Sequence, residues 1–237
     1  MPSTGNFDSL ERLILKWGFL PFFKNDIEQF SIEEFTPEEL WFSPDVDGPW
    51  EWKGPIIAAG SCAYGKIFQN KAGFVSLDWL PHLLHWRRAH YHATKDEAEL
   101  LQIIMSHGSL LSTQLKKLYL PPRPPHTRHN RLSKAVAEEE RRRQRSHQQK
   151  EGIETALTKL QMNGMVIIAD FEYRHDRQGR PYGWGIARYT TPEAMYGSEI
   201  MTPVQGLSPE TSRDRMMQHL HQLLPQATPK QLQQLVG

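Results

Sequence analysis

A single cysteine, Cys62, leaves the chain without a partner for an intrachain disulfide and without the thiolates of a structural zinc site. No apolar run approaches the roughly 20 residues that a membrane helix needs, so no spanning segment is expected. The N-terminal MPSTGNFDSLERLIL lacks a basic segment followed by an apolar one. No signal peptide is expected from it, and a cytoplasmic protein is the default. A phosphate-cradling loop is missing too, since GSCAYGK has neither the spacing nor the Ser or Thr after lysine. Charge of one sign is scarce in the total, with 28 Lys and Arg against 27 Asp and Glu. Its distribution is uneven. Acidic residues such as Glu33, Glu34, Glu38 and Glu39 crowd the first fifty positions, while Arg123, Arg128, Arg141, Arg142 and Arg143 crowd the middle. An acidic lobe can therefore mask a basic face in the sum.

What is present reads as a string of short helices and hairpins. Phe7, Leu10, Leu13, Ile14 and Trp17 share one face of a helix that Gly18 ends. SIEE and TPEE between Ser31 and Leu40 carry Ser or Thr with Glu three residues on, a helix-start signature. SPDVDGPWEWKGP is turn-dense and is expected as a connection. AAGSCAYGKIF and KAGFVS predict two strands about Gln69-Asn70-Lys71, and Ser76 predicts the cap of a helix through LDWLPHLLHWRRAHY. Thr94 caps the next helix, Gly108 stops it, and a short helix is predicted over Leu110 to Leu118. A proline-rich, arginine-rich insertion occupies 121–150. Beyond the hairpin, 192–209 reads as a loop, and caps at Ser208 and Thr228 start two terminal helices.

The organising stretch is Gly152 to Thr190. Ile153, Ala156, Leu157 and Leu160 fall at helical spacing and Gly164 stands at a helix stop. Two β-rich runs follow around HDRQGRPYG. A helix feeding a hairpin with a basic tip, after two linked helices, is the order of a winged helix-turn-helix. Off the apolar stripe, Thr155, Thr158, Lys159 and Gln161 offer groups to base edges or backbone. Arg174, His175, Arg177 and Arg180 gather positive charge on the hairpin turn, and Arg87 and Arg88 end an apolar helix within reach of phosphates. The fold class is therefore α+β, mainly α, with tandem winged-helix-like lobes and short β-hairpin wings. Its expected divisions are an N-terminal lobe (1–93), a winged helix with the basic insertion (94–192) and a helical tail (193–237). Duplex DNA is the expected partner. No cofactor or metal is expected: His82, His85, His90 and His92 lie close in sequence, but no Asp, Glu or Cys completes a zinc spacing. Oligomeric state stays open.

Two passages, WGFLPFF (17–23) and WEWKGPIIAAGSCAYGKIFQNKAGFVSLDWLPHLLHWRR (50–88), resemble the start of alkylpurine DNA glycosylases of the AlkZ/YcaQ type. That resemblance implies tandem winged helices and a role in DNA repair. It also brings out a departure. The family's Gln-x-Gln or Gln-x-Asp, which positions water against the glycosidic bond, would fall at Pro21, Phe22 and Phe23, none with a hydrogen-bonding side chain. Asp26, Glu28 and Glu51 are the nearest carboxylates to serve instead. DNA binding without the usual catalytic pair is the leading expectation. An active glycosylase hydrolysing the bond to a modified base, and a protein-interaction module or transcriptional regulator, are the alternatives.

Overall fold

Helix α1 (Phe7–Trp17) forms where the apolar spacing predicts it. The Asn6 side chain accepts the Ser9 N–H at 2.9 Å, and Gly18 ends the helix at φ 76°. A Cβ at Gly18 would lie 2.3 Å from the Trp79 ring, so backbone and packing both require glycine there. The computed structural model describes residues 4–41, 46–120, 152–179 and 181–237, without the side chains of 181–184. The insertion at 121–150 and Arg180 thus lie outside the described residues.

Strand β1 (Phe19–Pro21) leads to the short helix α2 (Ile32–Phe35), capped by Ser31 as SIEE predicts. TPEE behaves differently: the Thr36 hydroxyl pairs with that of Thr4 at 2.6 Å, and only a 3-10 turn forms at Glu38–Leu40. Helix α3 (Pro49–Ala58) corrects the expectation of a connection. Pro49 sits in the first turn, where its missing N–H costs little, and the Glu51 carboxylate reaches back to the Gly48 N–H at 3.0 Å. Burial of Trp52, Ile56 and Ile57 then holds the helix despite Pro55 in its interior.

Strands β2 (Cys62–Phe68) and β3 (Lys71–Ser76) turn at Gln69 and Asn70, both at positive φ, as a tight hairpin demands. Helix α4 (Leu80–Ala89) starts after the predicted cap Ser76, with Trp79 in the capping place. Helix α5 (Lys95–His107) has its predicted Thr94 cap and Gly108 stop. A three-residue strand, β4 (Ser109–Leu111), precedes α6 (Ser112–Tyr119). Helix α7 (Ile153–Met162) and strands β5 (Ile167–His175) and β6 (Pro181–Thr190) follow. In place of the expected loop come α8 (Pro192–Tyr196), capped by Thr191, and a 3-10 stretch, Ser198–Val204. Helices α9 (Pro209–Leu223) and α10 (Pro229–Val236) begin at the predicted caps.

The fold is α+β. One antiparallel sheet, in the order β1-β3-β2-β5-β6-β4, runs through both halves of the chain, which meet at Tyr64↔Ile168. Period-two alternation divides its side chains between two cores. Leu20, Phe22, Tyr64, Phe74 and Ile168 face the core shared with α1, α3, α5, α6 and α7. Phe19, Ala63, Ile67, Val75 and Ile167 face the other, closed by Leu80, Leu83 and Leu84 of α4 and by Met216, Leu220, Leu232 and Leu235 of α9 and α10. The terminal helices are thus part of a core. No helix among the described residues is long and apolar enough to cross a membrane.

Candidate nucleic-acid interface

Helix α7 lies between β2 and α5, and its polar residues divide accordingly. Gln161 is buried: its Oε1 accepts the Lys66 N–H at 3.0 Å and its Nε2 donates to the Leu157 carbonyl. It pins the helix to β2 and is not available to a base edge. The Thr158 hydroxyl accepts from Lys66 Nζ at 3.2 Å and donates to the Glu154 carbonyl. Thr155 and Lys159 are exposed, with Lys159 Nζ 3.4 Å from the buried Glu97 carboxylate of α5. Glu154, also exposed, pairs with Lys116 of α6 at 2.7 Å. The outer strip of α7 is therefore polar and of mixed sign.

The hairpin end keeps its charge in the open. Arg174, His175 and Arg177 are exposed, and Arg174 and His175 stand opposite Tyr182 and Pro181 at the end of the β5–β6 ladder. Asp176 shapes the turn, its carboxylate accepting the Gln178 N–H at 2.8 Å and its carbonyl the Gly179 N–H at 3.0 Å. Two ladder irregularities, between Ile168 and Asp170 and between Glu172 and Arg174, increase the twist of the hairpin.

Arg87 and Arg88 turn inward, where the sequence reading expects them at phosphates. The Arg87 guanidinium is buried and donates to four carbonyls: Nε to Val236, Nη1 to Ile67 and Met162, and Nη2 to Leu235. Three of these belong to the C-terminal ends of α7 and α10. Such carbonyls have no partner within their own helix and carry its partial negative charge, so a cation can sit there without a carboxylate. Burial lowers the Arg87 pKa to about 10, which leaves it charged at neutral pH. Arg88 donates to the Gly164 carbonyl and to both Glu193 oxygens, tying α4 to the turn after α7 and to α8. Burial raises the Glu193 carboxyl, but the hydrogen bond and charge of Arg88 bring it net below its ordinary value. One signal in the sequence marks Arg87: Leu80, Leu83, Leu84 and Arg87 follow i, i+3, i+4, i+7 along the buried stripe.

At the place where the resemblance would put a catalytic pair, Pro21 is buried in β1 and Phe23 is half-buried against Trp50, their ring centroids 5.9 Å apart. Phe22 between them is fully buried among Trp41, Trp50, Tyr64 and Phe74. The candidate carboxylates are exposed and stand on different supports. Asp26 and Glu28 lie on a loop whose carbonyls accept from Gln231 and Gln226 of the C-terminal segment. Glu51 caps α3. Two residues away, Lys53 is buried, its Nζ donating to the Trp50 carbonyl at 2.8 Å and lying 5.0 Å and 4.6 Å from the Trp50 and Phe171 ring centroids. Burial lowers its pKa to about 8, opposed in part by Glu51.

A pH dependence follows. Unfolded lysine binds its proton up to about pH 10.5, so between about pH 8 and 10.5 the unfolded chain holds more protons and this group stabilises the fold as pH rises. The Cys62 thiol, pushed up to about 12 by burial, acts in the opposite sense above pH 9. Urea midpoints are expected to rise from pH 8 to pH 9, and Lys53→Met to remove the rise. A variant with the wild-type slope would assign it to another group.

Two of the four neighbouring histidines share one hydroxyl partner. His82 and His85 both direct Nδ1 at the Ser212 hydroxyl, at 3.1 and 2.9 Å, joining α4 to α9, while His90 and His92 are exposed. No group of three metal-ligating side chains occurs among the described residues. Beside the C-terminal end of α7 lies a pocket of ≈ 270 Å³ over Arg87, bounded by Asn70, Trp86, His90, Lys159 and Asn163. Of these only Arg87 and Lys159 stand out in the sequence as interface candidates.

Compared with known proteins, residues 4–237 match a family model described as AlkZ related. No curated protein and no solved structure matches.

Proposed function

The chain belongs to the AlkZ-related family, and from that premise we propose that it is a winged-helix protein that binds duplex DNA without the hydrolytic residue pair of the glycosylases it is related to. The observation that carries this reading is the order α5–β4–α6–α7–β5–β6, with β4 and β5 both paired to β6. That order is the one expected of a winged helix, in which α7 would address the major groove and the β5–β6 hairpin the adjacent backbone. The exposed Arg174, His175 and Arg177 at the hairpin end supply charge that no part of the core uses. Arg180 belongs to the same turn in sequence. The exposed Thr155 and Lys159, with the half-buried Thr158 between them, are the part of α7 that would face DNA. With Pro21 and Phe23 in the places of the polar pair, no side chain there can position water.

Purified protein is expected to bind duplex DNA with a Kd of roughly 1–100 µM at physiological salt, and the affinity is expected to fall steeply as salt rises. Replacing Arg174, Arg177 and Arg180 together by Ala is expected to flatten the slope of log K against log salt by roughly 2.7, at about 0.9 per lost phosphate contact. An unchanged slope would remove the hairpin from the interface. In the same preparation, alkylated DNA is expected to yield no free base. Robust release abolished by Glu51→Gln, Asp26→Asn or Glu28→Gln would make the protein an enzyme.

A further inference from the structure

Helices α4 and α9 touch near their first turns, and imidazoles join them there. The Ser212 hydroxyl is fully buried between His82 Nδ1 at 3.1 Å and His85 Nδ1 at 2.9 Å. One hydroxyl carries one hydrogen. With both rings neutral it donates to one Nδ1 and accepts the Nδ1–H of the other, so the three groups satisfy one another. A proton on the accepting ring turns both rings into donors, and the Ser212 hydrogen loses its acceptor. The surroundings oppose that proton as well. His82 is the third residue of α4 and Ser212 the fourth of α9, so the partial positive charge of two helix N-termini converges on the unit. Burial first, then Arg215 of α9 and His85, hold the His82 pKa below its ordinary value. No carboxylate is bonded to either ring among the described residues. Glu210 of α9 acts on His85 and His90 from an exposed position, and Asp78, ahead of α4, is exposed too. Asp214 pairs with Arg213, which lies over the Trp86 ring. Glu193 is taken by Arg88, and Glu199 of the 3-10 stretch folds back over Gly197. His219 stands apart, its Nε2 donating to the Trp17 carbonyl at 2.8 Å and its ring stacked on Trp79.

We infer that the His82–Ser212–His85 unit is an acid-sensitive latch, which holds the first turn of α9 on α4 while both rings are neutral and releases it when the pair takes up a proton. The released chain binds that proton at the ordinary histidine value of 6.5, whereas in the latched chain His82 binds it only at lower pH. The open form therefore holds more protons as the pH falls through that value. The latch's contribution is complete above about pH 6.5 and is lost below it. Release is local. Helix α10 is held by Arg87 through the Leu235 and Val236 carbonyls, and that guanidinium stays charged throughout the acid range.

Amide hydrogen exchange of the full chain, at about pH 7.5 and about pH 5.5 and corrected for the intrinsic rates, tests this. Opening of the amides in the first turns of α9 is expected to rise roughly tenfold, the shift that one proton gives over one pH unit below the histidine value. Amides of α10 and α7 are expected to keep their protection. The double variant His82→Asn/His85→Asn places an amide where each Nδ1 stood, so Ser212 keeps its partners and nothing titrates. Its α9 opening is expected to be the same at both pH values. Should that variant fail to give a folded circular-dichroism spectrum, His85→Asn alone, at the half-buried ring, is expected to reduce the pH response clearly. Wild-type α9 opening that does not change with pH overturns the latch. So does a variant that keeps the wild-type response, or a loosening of α7, α9 and α10 by the same factor, which would make the acid effect global.

Discussion

Arg87→Met is expected to lower the free energy of unfolding by about 3–5 kcal/mol, the cost typical of breaking a buried, hydrogen-bonded charge. Methionine keeps much of the stem volume, so the loss isolates the guanidinium. Removing it strands the carbonyls of Ile67, Met162, Leu235 and Val236, which it now satisfies. A buried acceptor left without a donor costs about 1–3 kcal/mol, and water reaching the helix ends would recover part of the sum. Arg87→Lys should fall between, since an ammonium carries three donors and lacks the planar fork that spans two helix ends and a strand. Urea unfolding followed by tryptophan fluorescence measures both. A loss under about 1 kcal/mol for the methionine variant would show that solvent replaces the guanidinium, and that its burial contributes little.

The second large effect concerns the strand where catalysis would sit in an active relative. Phe22→Ala is expected to cost about 3–5 kcal/mol, as for aromatic-to-alanine changes in a closed core. Its ring is fully buried and contacts five other aromatic rings, those of Phe23, Trp41, Trp50, Tyr64 and Phe74. Phe23→Ala, at a half-buried position, should cost clearly less. The contrast matters because, on the alignment that the resemblance implies, Phe22 would fall at the middle of Gln-x-Gln, a place with no polar side chain to supply. On that alignment the proposed departure from the family's pattern rests on Pro21 and Phe23. Equal losses at 22 and 23 would mean that Phe23 belongs to the core as fully as Phe22, and that no opening adjoins it.

Much of the fold was legible because its signals are local. Helix α1 and helix α5 announce themselves by apolar spacing, a capping side chain and a closing glycine, all within one short window. The β2–β3 hairpin is legible from its polar turn. Helix α3 was hidden by the same residues that build it. Pro49, Gly54 and Pro55 read as breakers, and only the burial of Trp52, Ile56 and Ile57 against distant strands decides for a helix. Strand β4 exists because β6 pairs with it, which three residues of sequence do not reveal. Among the candidate contact residues, exposure separates side chains that look alike on paper. Arg174 and Arg177 stay in solvent while Arg87 and Arg88 are taken up as helix staples. Gln161 follows Leu157 by four positions and so lies toward the buried side of α7, a placement the stripe itself indicates.

The closing of the second core by α9 and α10 has a consequence for how the chain acquires its shape. Leu80, Leu83 and Leu84 wait for Met216, Leu220, Leu232 and Leu235, more than a hundred residues later in sequence. At about 5–20 residues per second, a ribosome needs on the order of ten seconds to cover that gap. For that interval the nascent N-terminal lobe shows an uncovered leucine face and the open ends of its strands, the kind of surface that holding chaperones bind. Expression of residues 1–93 alone would make that interval permanent, and such a fragment is better judged as half of a core than as an independent lobe.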